Sequence, residues 1–409
     1  MITFIHTADI HFGMENYGKV DPKTGIHSRL IDFQNALHEC IDRAIAQNVD
    51  FFMFSGDAYK TPNPSPTHQR LLSECFFRLF KHNIPIVMVI GNHDHPLTFG
   101  KSHALEIFGQ LPLDGFYVIS KPENILLQTK QGPIQITGIP WPTRSHISLS
   151  NEHQNRTAAQ LTEVISNGIA DIIKNLSEDL DPAIPAILAG HLTVSSGIFS
   201  GSEKRAVYGN DPILLPSQLA LEPYDYVALG HLHRYQNLNP NGHPAIVYSG
   251  SIERIDFGER KEEKGFCMVT IHDKQNTTHE FINVNTRPFI QIEITLHDNS
   301  SHTEQILAEI RKHSIANTVI KVIYTLPAHI KDRVDAHVIH NACQEAHYIV
   351  GIFPIRPIVI KEARALLKID MSLQELMQNF CATKPEYAPI QDDMIKKALE
   401  LAQEIEQEE

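Results

Sequence analysis

The sequence predicts an α/β protein: a β-sandwich flanked by helices over residues 1–286, a small α/β unit over residues 287–368, and a helical tail over residues 369–409. Three observations carry that expectation. Short, unbroken apolar runs such as Phe51 to Ser55 and Ile86 to Ile90 read as strands buried on both faces. Between them, apolar residues recur at helical spacing. At Arg287-Pro288 the pattern changes to a shorter alternation of strands and helices, and a proline-containing junction is where a boundary is expected.

Ile2 to Thr7 is the first strand. Leu30, Phe33, Leu37, Ile41 and Ala44 then form a helical stripe, and Leu71, Leu72, Cys75, Phe76, Leu79 and Phe80 form a second. These stripes face a core and need no cofactor to explain them. After Trp141-Pro142, a polar segment around Asn151 to Thr157 leads into another helix. Ile184 to Ala189, Tyr226 to Leu229 and segments from Ile246 to Val284 supply further strands. Beyond the junction come a strand (Phe289 to Leu296), a helix (Thr303 to Lys312), a strand (Val319 to Tyr324), a helix (Arg333 to Glu345) and a strand (Ile355 to Ile360). In the tail, Leu373, Leu376, Met377 and Phe380 mark one amphipathic helix, and Ile395, Leu399, Ala402 and Ile405 mark another. Short helices are marginal alone in water, so these need a surface to pack on, either their own domain or a partner.

At 409 residues and 42% hydrophobic, the chain is long enough for two or three domains with a sizeable core. No apolar stretch approaches the roughly 20 residues of a membrane span, and no basic, cleavable leader precedes the first strand. The expected location is the cytoplasm, without membrane contact. The five cysteines (Cys40, Cys75, Cys267, Cys343, Cys381) are odd in number, scattered and lack a C-x-x-C pair, so core packing is expected rather than disulfides. The net charge of −13 argues at first sight against nucleic acid. Yet residues 371–409 hold nine acidic residues and three lysines, and phosphate contacts depend on local basic patches. Candidates are Lys204-Arg205, Arg254, Arg260-Lys261 and Arg144, each equally readable as a solvated surface charge. No Walker A motif, zinc-finger spacing or internal repeat occurs.

Five polar blocks close apolar runs: Asp9-Ile10-His11, Gly56-Asp57, Gly91-Asn92-His93-Asp94, Gly190-His191 and Gly230-His231-Leu232-His233. Ligands in open α/β sheets gather at the carboxyl ends of strands. An i, i+2 pair in extended chain, as in Asp9/His11 and His231/His233, projects from one face. A lone His-x-His or Gly-Asp at a strand end is more often a turn, and with 24 histidines many must be ordinary surface residues. Five such blocks together, all of metal-ligand types, are not explained that way. Two divalent cations about 3.5 to 4 Å apart can neutralise a phosphate ester's oxygens and activate a bridging water. Mixed imidazole, carboxylate and amide donors favour a transition metal such as Mn over Mg or Ca.

The order D-x-H, GD, GNHD, GH, GHLH resembles the calcineurin-like metallophosphoesterase superfamily. The blocks Ser200-Gly201-Ser202-Glu203, Tyr248 through Glu259 (YSGSIERIDFGE) and Glu263-Lys264-Gly265-Phe266 narrow the resemblance to its DNA-repair nucleases of the SbcCD type. The match is strong to about residue 290 and looser beyond.

The resemblance implies a metallophosphoesterase sandwich with two metals, Mn in particular. Asp9, His11 and His233 would hold one, Asn92, His191 and His231 the other, and Asp57 would bridge them. His93 would then be no ligand but the general acid or transition-state stabiliser. Asp94 reads either as a partner orienting His93 or as a backbone hydrogen-bonding residue. Many relatives carry an acid or histidine three positions after the bridging Asp, where this chain has Lys60, whose ammonium cannot accept a bond from imidazole.

The implied function is DNA hydrolysis, as an exonuclease on double-stranded ends with single-strand or hairpin endonuclease activity, through in-line attack of a metal-bridging hydroxide. The small α/β unit would cap the site, although the residues alone equally allow a dimerisation or structural unit. The tail would bind an SbcC-like ATPase, with a homodimer inside a heterotetramer. A phosphoprotein phosphatase or small-molecule phosphodiesterase uses the same motifs and is the rival reading. A non-catalytic scaffold is disfavoured because every expected ligand is present.

Overall fold

The computed structural model describes residues 1–96, 101–110, 114–143, 157–201, 211–298, 300–327, 330–357, 372–382 and 384–408. Arg144, Lys204, Arg205, Ser202-Glu203, the segment Asn151 to Arg156 and the expected strand residues 358–360 lie outside the described residues.

The first sheet contains β1 (Ile2–Thr7), β2 (Phe51–Phe54), β3 (Ile86–Val89) and β4 (Phe116–Ile119), all parallel. The second contains β5 (Glu123–Thr129), β6 (Gly132–Ile139), β7 (Ala186–His191), β10 (Tyr226–Gly230), β11 (Gln236–Asn237) and β12 (Ala245–Tyr248); β8 (Thr193–Val194) and β9 (Ile213–Leu214) pair separately. The chain then returns to the first sheet through β13 (Gly265–Asp273) and β14 (Asn276–Asn283), which run antiparallel beside β1. The strand orders are β14-β13-β1-β2-β3-β4 and β11-β12-β10-β7-β6-β5.

Alternation along each strand explains the unbroken apolar runs. Phe4, Phe51, Met53 and Val87 point between the sheets, where they meet Ile136, Ile187, Tyr226 and Ala228. Their neighbours Ile5, Phe52, Phe54 and Met88 point outward onto two helices, α1 (Ser28–Ala46) and α2 (Pro66–Lys81). On the far side Leu188, Val227 and Leu229 meet Ile165, Ile169 and Ile173, beneath a third long helix, Ala158–Glu178. Helix starts obey local chemistry: Ser65 accepts from His68 N with Pro66 in the first turn, and Thr157 with Gln160 closes a capping box. The Phe4 and Phe51 rings stack at 4.5 Å in the inter-sheet core. Truncating either to alanine is expected to cost about 3–5 kcal/mol.

A three-stranded parallel sheet follows: β15 (Phe289–Thr295), β16 (Val319–Thr325) and β17 (Tyr348–Ile355). Helices His302–Ile310 and Ala336–Ala342 accompany it, with Ile306 and Ile339 in a core with Ile292 and Val322. The third strand therefore differs from the sequence expectation, which began it at Ile355. Gly351 and Pro354 interrupt its apolar pattern, and both are tolerated because β17 is an edge strand. Arg287, at the junction, binds Asp32 of α1 through Nη2 at 2.6 Å and Nε at 2.9 Å.

In the tail, helices Leu373–Ala382 and Gln391–Glu408 are joined by the 3-10 turn Pro385–Ile390. The apolar stripe is split: Cys381 and Ile395 are buried, while Leu373 and Phe380 remain 38% and 42% exposed. All five cysteines are free and buried. Among the described residues no helix is long and apolar enough to cross a membrane.

Candidate metal centre

Because β1, β2, β3, β7 and β10 are parallel within their sheets, their carboxyl ends can deliver side chains to one edge of the sandwich. All five polar blocks follow or end these strands. The i, i+2 geometry expected for Asp9/His11 and for His231/His233 is corrected, however. Asp9, His11, Asp57 and His231 have φ of 53°, 51°, 59° and 105°, in the left-handed region rather than in extended chain. At Asp9 and His11 the bend goes with backbone pairing between the first two loops: Asp9 N donates to Gly56 O at 2.9 Å and His11 N to Asp57 O at 3.0 Å. Such conformations cost about 1–3 kcal/mol each and cluster at functional sites.

Close approach also explains a glycine. A Cβ on Gly91 would lie 2.1 Å from Asp57 Oδ1, so only glycine lets the third loop pass over that carboxylate. Asp94 then ties the loops together. Its carboxylate accepts from Ala58 N at 3.2 Å, Tyr59 N at 3.1 Å and Gly91 N at 3.2 Å. Of the two roles open to it in the sequence, these bonds are the backbone one.

The eight candidate residues converge. His11 Nε2 lies 3.1 Å from His233 Nε2 and 3.7 Å from Asp57 Oδ2. His191 Nε2 lies 3.3 Å from the same Asp57 oxygen and 2.9 Å from Asn92 Oδ1, which is 3.2 Å from His231 Nδ1. Asp9 joins His11 and His233 on one side and Asp57 and His191 on the other, with ligand atoms within 4.8 Å of one another. His231 N donates to Asp9 Oδ2 at 3.0 Å. Asp9, Asp57 and His191 are almost fully buried, whereas His93 is exposed at the mouth. Trp141 covers the far side, its ring 4.8 Å from that of His231.

Second partners fix the rings. His191 Nδ1 lies 2.8 Å from Ser55 O, and His93 Nδ1 lies 2.8 Å from Lys60 O. A carbonyl can only accept, so each Nδ1 carries a proton and each ring turns its Nε2 elsewhere. His233 Nδ1 likewise donates to Glu259 Oε1 at 2.8 Å. Burial alone would raise Glu259, but Lys264 and His233 hold its carboxyl well below the ordinary range.

These features fit a cation. The Nε2 atoms of His191 and His233 turn toward groups that can only accept or are also imidazole nitrogens, Asn92 Oδ1 and Asp57 Oδ2 in one case and His11 Nε2 in the other. His231 Nε2 is buried without a hydrogen-bond partner, with Asp211 Oδ2 3.7 Å away. The protein alone satisfies these atoms by charge shifts. Burial pushes Asp9 up to about 7. Burial would also raise Asp57, yet His191 holds it well below the usual carboxylate range, while Asp57 lifts His191 to about 9 against its own burial. The donor set of two carboxylates, one amide and four imidazoles suits divalent transition metals.

Sequence reasoning did not assign roles to Glu259, Lys264, Trp141 or Ser55, although the first two stand inside blocks that carried the resemblance. Conversely, Arg254, offered as a phosphate contact, is bound to Thr286 Oγ1 and, at 2.9 Å, to Glu262 O. Arg260 is half-buried and donates to Phe257 O at 3.0 Å, whereas Lys261 is exposed.

The calcineurin-like phosphoesterase family profile matches residues 2–235. Over 331 residues the chain is 28% identical to the SbcD component of the nuclease SbcCD from Staphylococcus epidermidis, a match covering 80% of each chain. Among solved structures it is similar to a dimetal phosphatase from Danio rerio (10% identity, 68% of this chain and 98% of that one, TM-score 0.42). It is also similar to the protein TT1561 of Thermus thermophilus (13% identity, 68% and 98%, TM-score 0.39).

Proposed function

We propose, for a chain that belongs to the calcineurin-like phosphoesterase family, that this centre holds two divalent cations and hydrolyses the phosphodiester bonds of DNA. The observation that carries the reading is the arrangement of six ligand-type side chains around Asp57, with imidazole Nε2 atoms turned into the cluster. Similarity to an SbcCD nuclease component over 80% of the chain supports DNA as substrate.

Asp9, His11 and His233 would hold one cation, Asn92, His191 and His231 the other, and Asp57 both. When bound, the two cations neutralise phosphate oxygens and supply an activated water as nucleophile. His93 is exposed at the mouth with Nδ1–H bound to Lys60 O and a ring nitrogen within 4.8 Å of ligand atoms of His11 and Asp57, and its Nε2 is assigned to the substrate. From there a protonated Nε2 delivers a proton to the leaving oxygen or bonds the non-bridging oxygens as charge develops on them. Asp94 contributes by holding the Asp57 and Asn92 loops in register.

The finer parts of the reading follow the resemblance. They are Mn as the metal and a cytoplasmic nuclease for DNA repair, with exonuclease and endonuclease activities. Residues 1–286 act as catalytic domain, 287–368 as cap and 369–409 as the segment that binds an SbcC-like ATPase, in a heterotetramer built on a homodimer. Cleavage of end-labelled duplex DNA, beside hydrolysis of a phosphomonoester and with Mn2+, Mg2+ or chelator, tests the function. Mn-dependent DNA cleavage lost on Asp57→Asn is expected. Monoester turnover without DNA cleavage, even with an SbcC-like partner and ATP, would favour the phosphatase reading.

A further inference from the structure

His233 is held from behind by a buried ion pair. Its Nδ1 lies 2.8 Å from Glu259 Oε1, and Lys264 Nζ lies 2.7 Å from Glu259 Oε2, with both of those charged side chains 0% exposed. Lys264 Nζ also donates to the His233 carbonyl at 2.9 Å and to Ser251 Oγ at 2.9 Å. Glu259 Oε2 accepts from Ile255 N at 3.0 Å. One lysine therefore grips both the carboxylate behind the imidazole and the backbone that carries it.

Packing alone is a poor reason for such a pair. Removing two charges from water costs several kcal/mol per ion, and apolar residues of similar volume often replace a buried pair without loss. What the pair accomplishes is geometric. With Nδ1 committed to Glu259, the ring cannot flip or exchange tautomers, and Nε2 stays turned toward His11. The 3-10 turn Phe257–Glu259 that carries the carboxylate is itself anchored, because Phe257 packs on Phe289 at 5.0 Å and on Tyr17 at 5.3 Å.

We infer that Glu259, locked in place by Lys264, is the positioning residue for His233 and sets the affinity of one half of the centre for its cation. The inference rests on the metal reading above. It is tested by calorimetric titration of the full chain with Mn2+, comparing wild type with three variants. Glu259→Leu with Lys264→Met removes the acceptor and leaves no unpaired buried charge. Glu259→Gln with Lys264→Met removes the ion pair but keeps an acceptor for Nδ1. His233→Ala marks complete loss of that ligand.

The Leu/Met variant should bind one Mn2+ roughly 10- to 100-fold more weakly, the usual consequence of losing such a partner, with the other ion unchanged. The Gln/Met variant should recover most of the loss. The inference is overturned if the Leu/Met variant binds both ions as wild type does, or if the Gln/Met variant is equally impaired, since the pair would then serve packing. Should the Leu/Met variant not fold, the tautomer in the metal-free wild type decides. A 15N-histidine spectrum assigned with His233→Ala should report Nδ1–H, and Nε2–H would overturn the inference. A wild type that takes up no Mn2+ contradicts the metal reading itself; unaltered variants contradict only this inference.

Discussion

His93 Nδ1 lies 2.8 Å from the backbone carbonyl of Lys60. The acceptor for this ring is a main-chain atom, which survives any substitution that keeps the loop. Lys60→Ala should therefore leave DNA turnover within about threefold of wild type, whereas His93→Ala should lose at least about a hundredfold, the lower end for general acid–base catalysis. Both variants should bind Mn2+ as wild type does. Metal titration and single-turnover cleavage check this; if His93→Ala stripped the metals, the division between ligands and acid would be wrong.

Asp94 joins two loops that have no strand pairing at that point. Asp94→Ala leaves three buried amides (Ala58, Tyr59, Gly91) without their acceptor. A destabilisation of about 3–5 kcal/mol is expected from amides left unsatisfied, read as a lower urea midpoint at unchanged m-value. A variant as stable as wild type would contradict the role.

His6 sits in the first sheet with both nitrogens used: Nε2–H donates to Leu229 O at 3.2 Å, and Tyr226 OH lies 3.1 Å from Nδ1. Burial lowers its pKa to about 3, so the folded protein keeps it neutral while the unfolded chain protonates near 6.5. The unfolded state then binds more protons between those values, and stability falls as pH drops through 6.5 toward 3. At pH 4.5 this one group should cost about 3 kcal/mol relative to neutral pH. His6→Gln should remove that part of the acid sensitivity, and parallel stability–pH curves for the two proteins would refute it.

The tail is expected to be separable from the fold. Deleting residues 371–409 should preserve the circular-dichroism spectrum and Mn2+ binding but abolish association with an SbcC-like ATPase. Undiminished co-purification would place the partner's site elsewhere.

The candidate site was legible because its candidate ligands stand in short blocks immediately after unbroken apolar runs, and parallel strands deliver such blocks to one edge. Asp9 and His233 could be paired by motif alone, although 224 positions separate them in the chain. What escaped had physical reasons. The Lys60 carbonyl has no side-chain signature. Glu259 and Lys264 stand in blocks that carried the resemblance, but no spacing in the sequence shows that folding buries them against each other and against His233. The left-handed conformations of Asp9 and His11 follow from loop pairing across β1 and β2, which no periodicity encodes. In the three-stranded sheet, Gly351 and Pro354 concealed β17 because an edge strand tolerates residues that a central strand excludes.

The most direct test of the central claim is anomalous diffraction at the manganese edge from crystals grown with Mn2+. Two peaks about 3.5–4 Å apart, with the Asp57 carboxylate between them, are the expected result. One peak, or none within reach of Asp57, would contradict a two-metal centre.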